Sequence, residues 1–318
     1  MNEPSAQVIE ELSHKVLALK KKRNAVILAH NYQVDEVQEI ADYTGDSLEL
    51  SRRAVDADAE VIVFCGVHFM AESAAILNPG KTVLLPAWYA GCPMADMVTV
   101  EKLRRMKEQH PGVPVVAYVN TSAAVKAESD ICCTSANVVN VINSLDSDRV
   151  ICIPDKNLAA YARQFTSKEI IAWKGFCIVH NLVTVEMVKK ARTEHPDALF
   201  MAHPECPMDV LKLADHVTST SGMLRYAGKS PAREFIIGTE RGLLYNLRKQ
   251  NPGKRFYILS DDPAPWDLPI LTCQNMKRTT LELVARSLET METVITVPEE
   301  IRVRAKAVLD RMLAIPRE

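Results

Sequence analysis

The sequence has no excess of basic residues, no long apolar run and no Cys-x-x-Cys pair. Its 38 Lys and Arg residues against 40 Asp and Glu residues leave a formal charge of -2, so no basic stripe is available for nucleic acid. Runs such as AVILA and PVVAYV are far shorter than the roughly 20 residues of a membrane-spanning helix. The first residues resemble neither a signal peptide nor a transit peptide. We therefore predict a cytoplasmic protein that acts on small molecules.

Cysteine is present eight times, and in a reducing compartment each is a buried hydrophobe or a functional thiolate rather than half of a disulfide. Three cysteines, Cys92, Cys177 and Cys273, begin similar segments: CPMADMVTVE, CIVHNLVTVE and CQNMKRTTLE. A glutamate follows each by nine positions: Glu101, Glu186 and Glu282. One cysteine per copy in the same local setting predicts a three-thiolate site on a pseudo-threefold axis. The cysteines in apolar stretches are predicted to be core residues: Cys65, Cys132, Cys133 and Cys152.

The repeat extends well beyond the cysteines. An offset of 88 residues aligns the first copy with the second, and an offset of 85 aligns the second with the third. The aligned polar positions form three triplets: His30, Tyr32 and Ser47; Tyr118, Asn120 and Ser135; His203, Glu205 and Thr220. An aspartate also recurs, at Asp42, Asp130 and Asp215. At 318 residues the chain has room for three small domains built from one unit.

Each copy alternates short apolar runs with helical stretches. The runs are rich in Val, Ile and Leu without clean alternation, as is typical of parallel strands covered by helices on both faces. We predict an α/β fold of three pseudo-threefold-related, three-layer αβα domains, with parallel sheets around a central cluster and active site. The predicted domains are residues 1–92 plus 277–318, residues 93–177 and residues 178–276. The C-terminal helix is expected to return to the first domain and close a ring.

The polar pair of each copy lies just past the end of a strand, where open parallel sheets bind ligands. The three pairs are therefore expected to face one cavity. The hydroxyl residue of each triplet precedes an apolar-periodic segment, which predicts a helix N-cap. Three helix N-termini directed at one centre would attract a small polyanion. Plain capping, or a histidine that is simply buried, is the alternative at any single position, and the threefold equivalence favours the cavity.

The three cysteines are expected at the starts of helices, since Pro93 after Cys92 suits a first helical position. A thiol there is expected to have a lowered pKa and to bind metal readily. Three thiolates without a fourth ligand fit an iron-sulfur cluster with one open iron, and a zinc ion with three cysteines and a water is the alternative. Cys206 aligns with Thr121, which predicts a structural thiol or a minor contributor to the cavity.

Segments along nearly the whole chain resemble the quinolinate synthase family. They are AHNYQ (29–33), GDSLELSR (45–52), VIVFCGVHFMAESA (61–74), GCPMAD (91–96), YVNTSAAVKA (118–127), PDKNLA (154–159), GFCIVH (175–180), HPEC (203–206), STSGM (219–223), GTERGLLYNL (238–247) and CQNMKRTTLE (273–282). So many segments in order make the resemblance highly specific.

The resemblance implies a triangular molecule with a central 4Fe-4S cluster bound by Cys92, Cys177 and Cys273. The family condenses iminoaspartate with dihydroxyacetone phosphate to quinolinate, releasing phosphate and water, in de novo NAD biosynthesis. The resemblance implies that the open iron acts as a Lewis acid without net redox change. It also implies a functional link to an L-aspartate oxidase or dehydrogenase that supplies iminoaspartate. A dicarboxylate and a phosphate ester agree with the predicted anion-binding cavity.

The resemblance also implies roles for the triplets. The binding positions for carboxylate or phosphate are His30, Ser47, Asn120, Ser135, His203 and Thr220. Tyr32, Tyr118 and Glu205 resemble residues for proton transfer or for oxygen groups near the open iron, so Tyr118 and Glu205 also contact substrate. Glu205 and His203 form the natural acid and base pair. Lys156 and Glu240 could orient these side chains or form structural salt bridges.

Two other functions share part of the pattern. An aconitase-like hydro-lyase also uses three cysteines and an open iron, but its substrate needs neither an amine nor a phosphate. A noncatalytic iron-sulfur redox sensor would need a partner or nucleic-acid surface, and it would tolerate changes in the triplets. Because no basic stripe is visible, the sensor is the less favoured of the two.

Overall fold

The computed structural model describes residues 5–317, which form three parallel four-stranded sheets. The first sheet contains β1 (Ala25–His30), β2 (Tyr43–Gly45), β3 (Val61–Cys65) and β4 (Thr82–Leu84). The second contains β5 (Val115–Tyr118), β6 (Ile131–Cys133), β7 (Arg149–Ile153) and β8 (Glu169–Ala172). The third contains β9 (Leu199–Ala202), β10 (His216–Val217), β11 (Glu234–Gly238) and β12 (Arg255–Ile258). Each sheet has the same order, with its second strand at one edge, then its first, third and fourth, which confirms the predicted α/β repeat.

Helices surround the three sheets. In the first unit they are α1 (Ala6–Lys22), α2 (Asp35–Glu39), α3 (Ser47–Asp56) and α4 (His68–Leu77). The following helices are α5 (Pro93–Asp96), α6 (Val100–Gln109), α7 (Ala123–Ala127), α8 (Val138–Ser144) and α9 (Lys156–Ala162). The last are α10 (Val185–Glu194), α11 (Met208–Leu211), α12 (Thr220–Lys229), α13 (Leu243–Gln250), α14 (Leu281–Thr290) and α15 (Glu299–Ala314). Short 3-10 turns are present at Arg163–Phe165, His180–Leu182 and Met276–Arg278.

Burial of both sheet faces explains why the strands do not alternate between apolar and polar residues. In β1, Ile27 and Ala29 face a core shared with α1 and α14. Val26 and Leu28 face the opposite core, which includes residues of α3 and α4. Parallel strands covered in this way are apolar on both sides, so the predicted three-layer arrangement follows from the composition of the runs.

The recurring aspartate has the same structural role in all three units. Asp42, Asp130 and Asp215 each accept a hydrogen bond through Oδ2 from a backbone N–H of the first strand of their sheet, at 2.8, 2.7 and 2.7 Å. The donors are Ile27, Val115 and Phe200. Each bond ties the start of an edge strand to its neighbour, so this part of the repeat maintains the sheet rather than the cavity.

The C-terminal helices connect the first and second units. Helix α14 packs on α1 and β3, whereas α15 lies against α4, α7 and β6. The domain boundaries predicted from the repeat remain a prediction, and residues 1–4 and 318 of the first domain lie outside the described residues. Within residues 5–317, none of the helices has the length and apolar character needed to cross a bilayer.

Candidate active site

One central cavity collects residues of all three units. It is lined by every member of the three triplets and by the three repeated cysteines: His30, Tyr32, Ser47, Tyr118, Asn120, Ser135, His203, Glu205, Thr220, Cys92, Cys177 and Cys273. The first strands β1, β5 and β9 end at this cavity, because their C-terminal or following residues are His30, Tyr118 and His203. The carboxyl ends of parallel strands are the usual position of ligand sites.

The predicted N-cap role of the hydroxyl residues is wrong. Helix α3 is capped by Asp46, whose carboxylate accepts from Glu49 N at 2.9 Å, so Ser47 is the first helical residue. Helix α12 is likewise capped by Ser219, and Thr220 follows it. Ser135 lies in the turn before α8, whose N-cap position is Asn137. The residue one position earlier has the extended backbone that a cap needs, which leaves the Ser47 and Thr220 side chains at the cavity wall.

The three repeated cysteines lie close enough for their thiols to influence one another's pKa. Burial raises the pKa of Cys92 to about 12 and that of Cys273 to about 11, and it raises the pKa of Cys177 well above its ordinary value. The predicted lowering is therefore wrong. Backbone N–H groups at the helix starts do lower the pKa of these thiols, but burial outweighs them. Partly buried thiols that line one cavity bind a cation well, because the metal compensates the thiolate charge.

Glu205 lies at the centre of a buried hydrogen-bond network. Its Oε1 accepts from the Tyr118 hydroxyl at 2.6 Å, and its Oε2 lies 2.8 Å from His180 Nδ1 and 3.9 Å from His203 Nδ1. Burial acts to raise the pKa of the Glu205 carboxyl, but the two histidines and the tyrosine hydroxyl outweigh burial and lower it. Burial and the charge of Glu205 together raise the pKa of Tyr118 well above its ordinary value. Glu205 is thus an ionised acceptor and Tyr118 a neutral donor.

A second chain of hydrogen bonds joins Tyr32 to the same carboxylate. The Tyr32 hydroxyl lies 2.6 Å from Thr239 Oγ1, and Thr239 Oγ1 lies 2.9 Å from His180 Nε2. With a single proton on His180 Nδ1, facing ionised Glu205, the His180 Nε2 can accept from Thr239, and Thr239 can accept from Tyr32. Two side chains, Thr239 and His180, therefore link the Tyr32 hydroxyl to Glu205 by hydrogen bonds.

The histidines of the first and third triplets are neutral in the folded protein. Burial lowers the pKa of His30 to about 4 and that of His203 to about 3. His203 Nε2 lies 3.2 Å from Ser135 Oγ, and its Nδ1 accepts from Glu205 N at 3.3 Å. His203 Nε2 therefore carries the proton and donates toward Ser135. Neutral imidazoles can donate to anionic groups without a net charge of their own.

One group of side chains could hold a metal ion directly. Ligand atoms of Cys177, His180 and Glu205 lie within 4.8 Å of one another, and His180 Nδ1 is 3.2 Å from Cys177 Sγ. The cavity also holds a buried acceptor, Asn120 Oδ1, without a hydrogen-bond partner among residues 5–317. Thiolate, imidazole and carboxylate are common metal ligands, so the donor set fits a metal centre.

Comparison with known proteins identifies the family to which the chain belongs. The profile of the family described as quinolinate synthetase A protein matches residues 14–314. The chain belongs to this family. The resemblance inferred from the motifs is thereby confirmed.

Individual members of the quinolinate synthetase A family are similar along their full length. A quinolinate synthase from Geotalea uraniireducens is 58% identical over 309 residues, which cover 97% of this chain and 99% of that protein. Quinolinate synthase 1 of Methanosarcina acetivorans is 60% identical over 305 residues, or 96% and 98% of the two chains. A quinolinate synthase from Thermodesulfovibrio yellowstonii is 53% identical over 309 residues, or 97% and 99%.

Three further residues left open by the sequence have clear positions in this family member. Glu240 is buried at the cavity and accepts from Cys273 N at 3.1 Å, so it holds the Cys273 backbone by a hydrogen bond. Its carboxylate also forms a salt bridge with Lys277 Nζ at 3.0 Å. Lys156 is exposed, with its Nζ over the Phe176 ring. Cys206 is buried, and its thiol donates to Gly238 O at 3.5 Å, as expected of a structural thiol.

The glutamates of the repeated cysteine segments do not reach the cavity. Each is the second residue of a helix, in α6, α10 and α14, and follows a threonine N-cap. The capping residues are Thr99, Thr184 and Thr280. An acidic residue in a first helical turn interacts favourably with the helix dipole. In each copy, therefore, the cysteine lines the cavity, whereas the glutamate belongs to a helix start and has a structural role.

His180 and Thr239 were not predicted as site residues. Under the 85-residue offset they align with Ala95 and Pro154, so the repeat gives no sign of them. The one available signal for His180 was its position three residues after Cys177 in CIVH. Thr239 has no comparable signal, because its role depends on contacts with Tyr32 and His180 from distant segments.

Proposed function

We propose that the chain is a quinolinate synthase, which condenses iminoaspartate with dihydroxyacetone phosphate to quinolinate and releases phosphate and water. The observation that carries the proposal is the buried network of Tyr118, Glu205 and His180 beside three cysteines in one cavity. Membership of the quinolinate synthetase A family supports the same assignment. The product is the pyridine dicarboxylate used in de novo NAD biosynthesis.

The cavity is suited to two anionic substrates. Ser47 and Thr220 stand at the first positions of α3 and α12, and helix N-termini favour negative charge. Neutral His30 and His203, together with Ser135, add hydrogen-bond donors. A carboxylate or a phosphate would replace water at these donors. We assign substrate binding to the three triplets on these grounds.

We propose that Cys92, Cys177 and Cys273 bind a 4Fe-4S cluster. Thiolates are the usual ligands of such clusters, and the three partly buried thiols line the same cavity. When bound, the cluster would supply one iron without a cysteine ligand as a Lewis acid for a substrate oxygen. The alternative is a single divalent ion on Cys177, His180 and Glu205, which would contain no inorganic sulfide.

The protein's own residues are arranged to move protons. Glu205 receives hydrogen bonds from Tyr118 and His180, and both donors stabilise its ionised form. A proton leaving the Tyr32 hydroxyl would pass to Thr239 while Thr239 passes its own to His180 Nε2, and imidazolium would be stabilised by Glu205. The Tyr118 hydroxyl would give up its bond to Glu205 Oε1 and donate to a leaving oxygen instead. Condensation and loss of water each require such transfers, which suits Tyr32, Tyr118, His203 and Glu205 as the acid and base residues.

The test is an anaerobic assay of the reconstituted protein with iminoaspartate and dihydroxyacetone phosphate. Quinolinate and phosphate are measured beside iron and sulfide, and we expect both products only when iron and sulfide are bound. Iron and sulfide without either product would reject the synthase and lead to hydroxy-acid dehydration, the aconitase-like reaction. A bound metal without sulfide would reject the cluster alone. An iron-sulfur centre without turnover, whose function survives changes in the triplets, would favour a noncatalytic sensor.

The proposed reaction also defines the biochemical setting. Iminoaspartate would come from an L-aspartate oxidase or dehydrogenase, and we propose that the enzyme acts in the cytoplasm. No nucleic acid or membrane partner is proposed. The three αβα domains would each contribute one cysteine and one polar triplet to the shared centre.

A further inference from the structure

Lys126 in helix α7 is a buried cation that the proposed mechanism does not use. Among residues 5–317 it is the one lysine that is fully buried. Its Nζ donates to Thr121 O and lies 5.5 Å from the centre of the Phe69 ring, and Phe69 lines the central cavity. No carboxylate of the described residues lies within salt-bridge distance of this ammonium group. A buried cation without an anionic partner is costly, so a compensating negative charge is expected nearby.

The repeat shows that the loop before α7 does not need this charge. Under the 88-residue offset, Lys126 aligns with Gln38 and Thr121 aligns with Gln33. Gln38 Nε2 donates to Gln33 O at 2.8 Å, which is the same bond that Lys126 makes to Thr121 O. A neutral amide therefore closes this loop in the first unit, and the third unit has Leu211 at the same position. Closing the loop does not account for the positive charge of Lys126.

The groups around Lys126 point to one source of negative charge. Burial lowers the pKa of Lys126. The groups near enough to act in the opposite direction on this pKa are Cys132, Glu72 and Cys92. Burial raises the pKa of the Cys132 thiol to about 12, so this thiol stays neutral. Glu72 accepts from Ala123 N at 3.0 Å and makes no salt bridge with Lys126. Cys92 lines the cavity, and its thiol becomes a thiolate when it binds a metal.

We propose that the Lys126 ammonium group is the buried counter-charge for metal-bound Cys92. The inference rests on the proposed function for the presence of a metal centre on the three cysteines. Three thiolates carry one negative charge more than a divalent core compensates. In a buried site this excess charge interacts strongly with a nearby cation, so Lys126 stabilises the loaded centre without being one of its ligands.

Three variants separate the charge of Lys126 from its hydrogen bond. Lys126→Arg keeps the charge, and Lys126→Met removes both the charge and the donor. Lys126→Gln keeps a donor without the charge and introduces the residue that the first unit has at Gln38. Lys107→Gln is the matched control, because the partly buried Lys107 also donates to a backbone carbonyl, Glu128 O, at 2.8 Å.

The first measurement is an anaerobic titration of the metal-free protein with Co²⁺, read by the thiolate-to-cobalt absorption. We expect Lys126→Gln and Lys126→Met to weaken Co²⁺ binding by about tenfold, which corresponds to 1.4 kcal/mol, and the other two variants to stay within about twofold. Equal affinities in all variants would overturn the proposal. A loss in Lys126→Met alone would also overturn it, because the hydrogen bond and not the charge would then be responsible.

The second measurement is the midpoint potential of the reconstituted cluster. Reduction adds a negative charge to the centre, and net charge is one of the factors that set the potential. Lys126→Gln should therefore shift the potential to a more negative value, whereas Lys126→Arg should not. An unchanged potential in Lys126→Gln would contradict the proposal. Protein that binds Co²⁺ but forms no sulfide-containing cluster would reject the cluster, and the cobalt titration would still decide the role of Lys126.

A measurement on the unmodified protein covers the case in which the neutral variants fail to fold. The side-chain NMR signal of Lys126 is assigned with Lys126→Arg and followed against pH with and without Zn²⁺. We expect Zn²⁺ to raise the pKa of Lys126, because the bound thiolates favour the charged ammonium group. The same pKa with and without saturating Zn²⁺ would overturn the proposal.

Discussion

At the scale of single residues, the Glu205 carboxylate joins side chains from three separate segments. Tyr118 ends β5, His180 begins a 3-10 turn, and Glu205 itself follows β9. Buried carboxylates are costly unless they are fully paired, and Glu205 meets this condition through two close donors. The same pairing gives Tyr118 and His180 fixed orientations toward the cavity.

Replacing Glu205 by Gln should leave the metal content unchanged and lower kcat by about 10²- to 10⁴-fold, the usual contribution of an acid or base. The amide cannot accept a proton, and its NH2 group would face the His180 or Tyr118 donor. Iron content and steady-state turnover test this expectation. Glu186→Gln is the control, since Glu186 lies at the start of α10. Unchanged turnover in Glu205→Gln would remove Glu205 from proton transfer.

The positions of the cysteines predict which of them are needed to retain the cluster. Cys92→Ala, Cys177→Ala and Cys273→Ala should each abolish cluster retention, because each removes one of three ligands. Cys206→Ala should keep most of the iron, since Cys206 donates to Gly238 O and does not line the cavity. Iron and sulfide are counted after anaerobic reconstitution. Retention in Cys273→Ala with loss in Cys206→Ala would contradict the ligand assignment.

The buried histidines predict acid sensitivity of folding. The folded pKa values of about 4 for His30 and about 3 for His203 lie below the ordinary 6.5. The unfolded chain therefore binds more protons below pH 6.5, and the free energy of unfolding falls as pH decreases from there toward 4. Each histidine contributes at most about 1.4 kcal/mol per pH unit. The depressed pKa of Glu205 stabilises the fold above its ordinary pKa of 4.5, so it adds no slope between pH 4.5 and 6.5.

Urea unfolding at several pH values between 7.5 and 5 measures this slope. His203→Gln should reduce it, whereas His68→Gln should not, because the His68 side chain is 47% exposed. An unchanged slope in His203→Gln would show that His203 is not kept neutral by burial.

At the scale of elements, the repeat contains two kinds of residue, those of the cavity and those that maintain the fold. The sequence alone does not distinguish them. The cysteines and polar triplets line the cavity, whereas Asp42 and its equivalents bond to strands and the threonines cap helices. The residues of the cavity could be predicted because threefold equivalence selects them. The local roles of these residues could not be predicted from the sequence. Which residue caps a helix depends on the backbone conformation of the residue before it. The pKa of a thiol depends on burial, which no local sequence pattern reveals.

A helix cap can be tested independently of the site. Thr184→Ala should lower the free energy of unfolding by about 1 kcal/mol, the usual cost of losing an N-cap, because Thr184 accepts from Met187 N at the start of α10. Thr193→Ala in the same helix is the control, since its exposed hydroxyl only donates back to Lys189 O. Urea unfolding and turnover are measured for both. A loss of turnover in Thr184→Ala at unchanged stability would contradict a purely structural role of this cap.

At the scale of the whole molecule, the C-terminal segment contacts a residue of the cavity wall from outside the repeat. Arg317 donates to both carboxylate oxygens of Asp46, at 3.1 and 3.3 Å, and Asp46 lines the cavity beside Ser47. Without a cation, this buried carboxylate would repel anionic substrates. The segment is held in place by Arg52, which donates to Leu313 O and Ile315 O.

Arg317→Ala should therefore raise KM for the anionic substrates and lower the free energy of unfolding by about 2 kcal/mol, within the range for an unpaired buried group. Arg317→Lys should restore part of both, because lysine keeps the charge but loses the two-pronged geometry. Arg302→Ala is the control, since Arg302 on α15 pairs with Glu299, whose side chain is 71% exposed. Equal KM values in all variants would exclude an effect of Arg317 on the cavity.

By itself the sequence determined the repeat, the α/β class and the set of triplets and cysteines, because periodicity and spacing are local properties that recur in each copy. Only the tertiary structure decided which further residues line the cavity, as His180 and Trp266 do, or contact its lining residues, as Thr239 and Arg317 do. Their positions result from contacts between segments far apart in the chain. Such contacts depend on how the three units pack, and no pattern within a single unit encodes that packing.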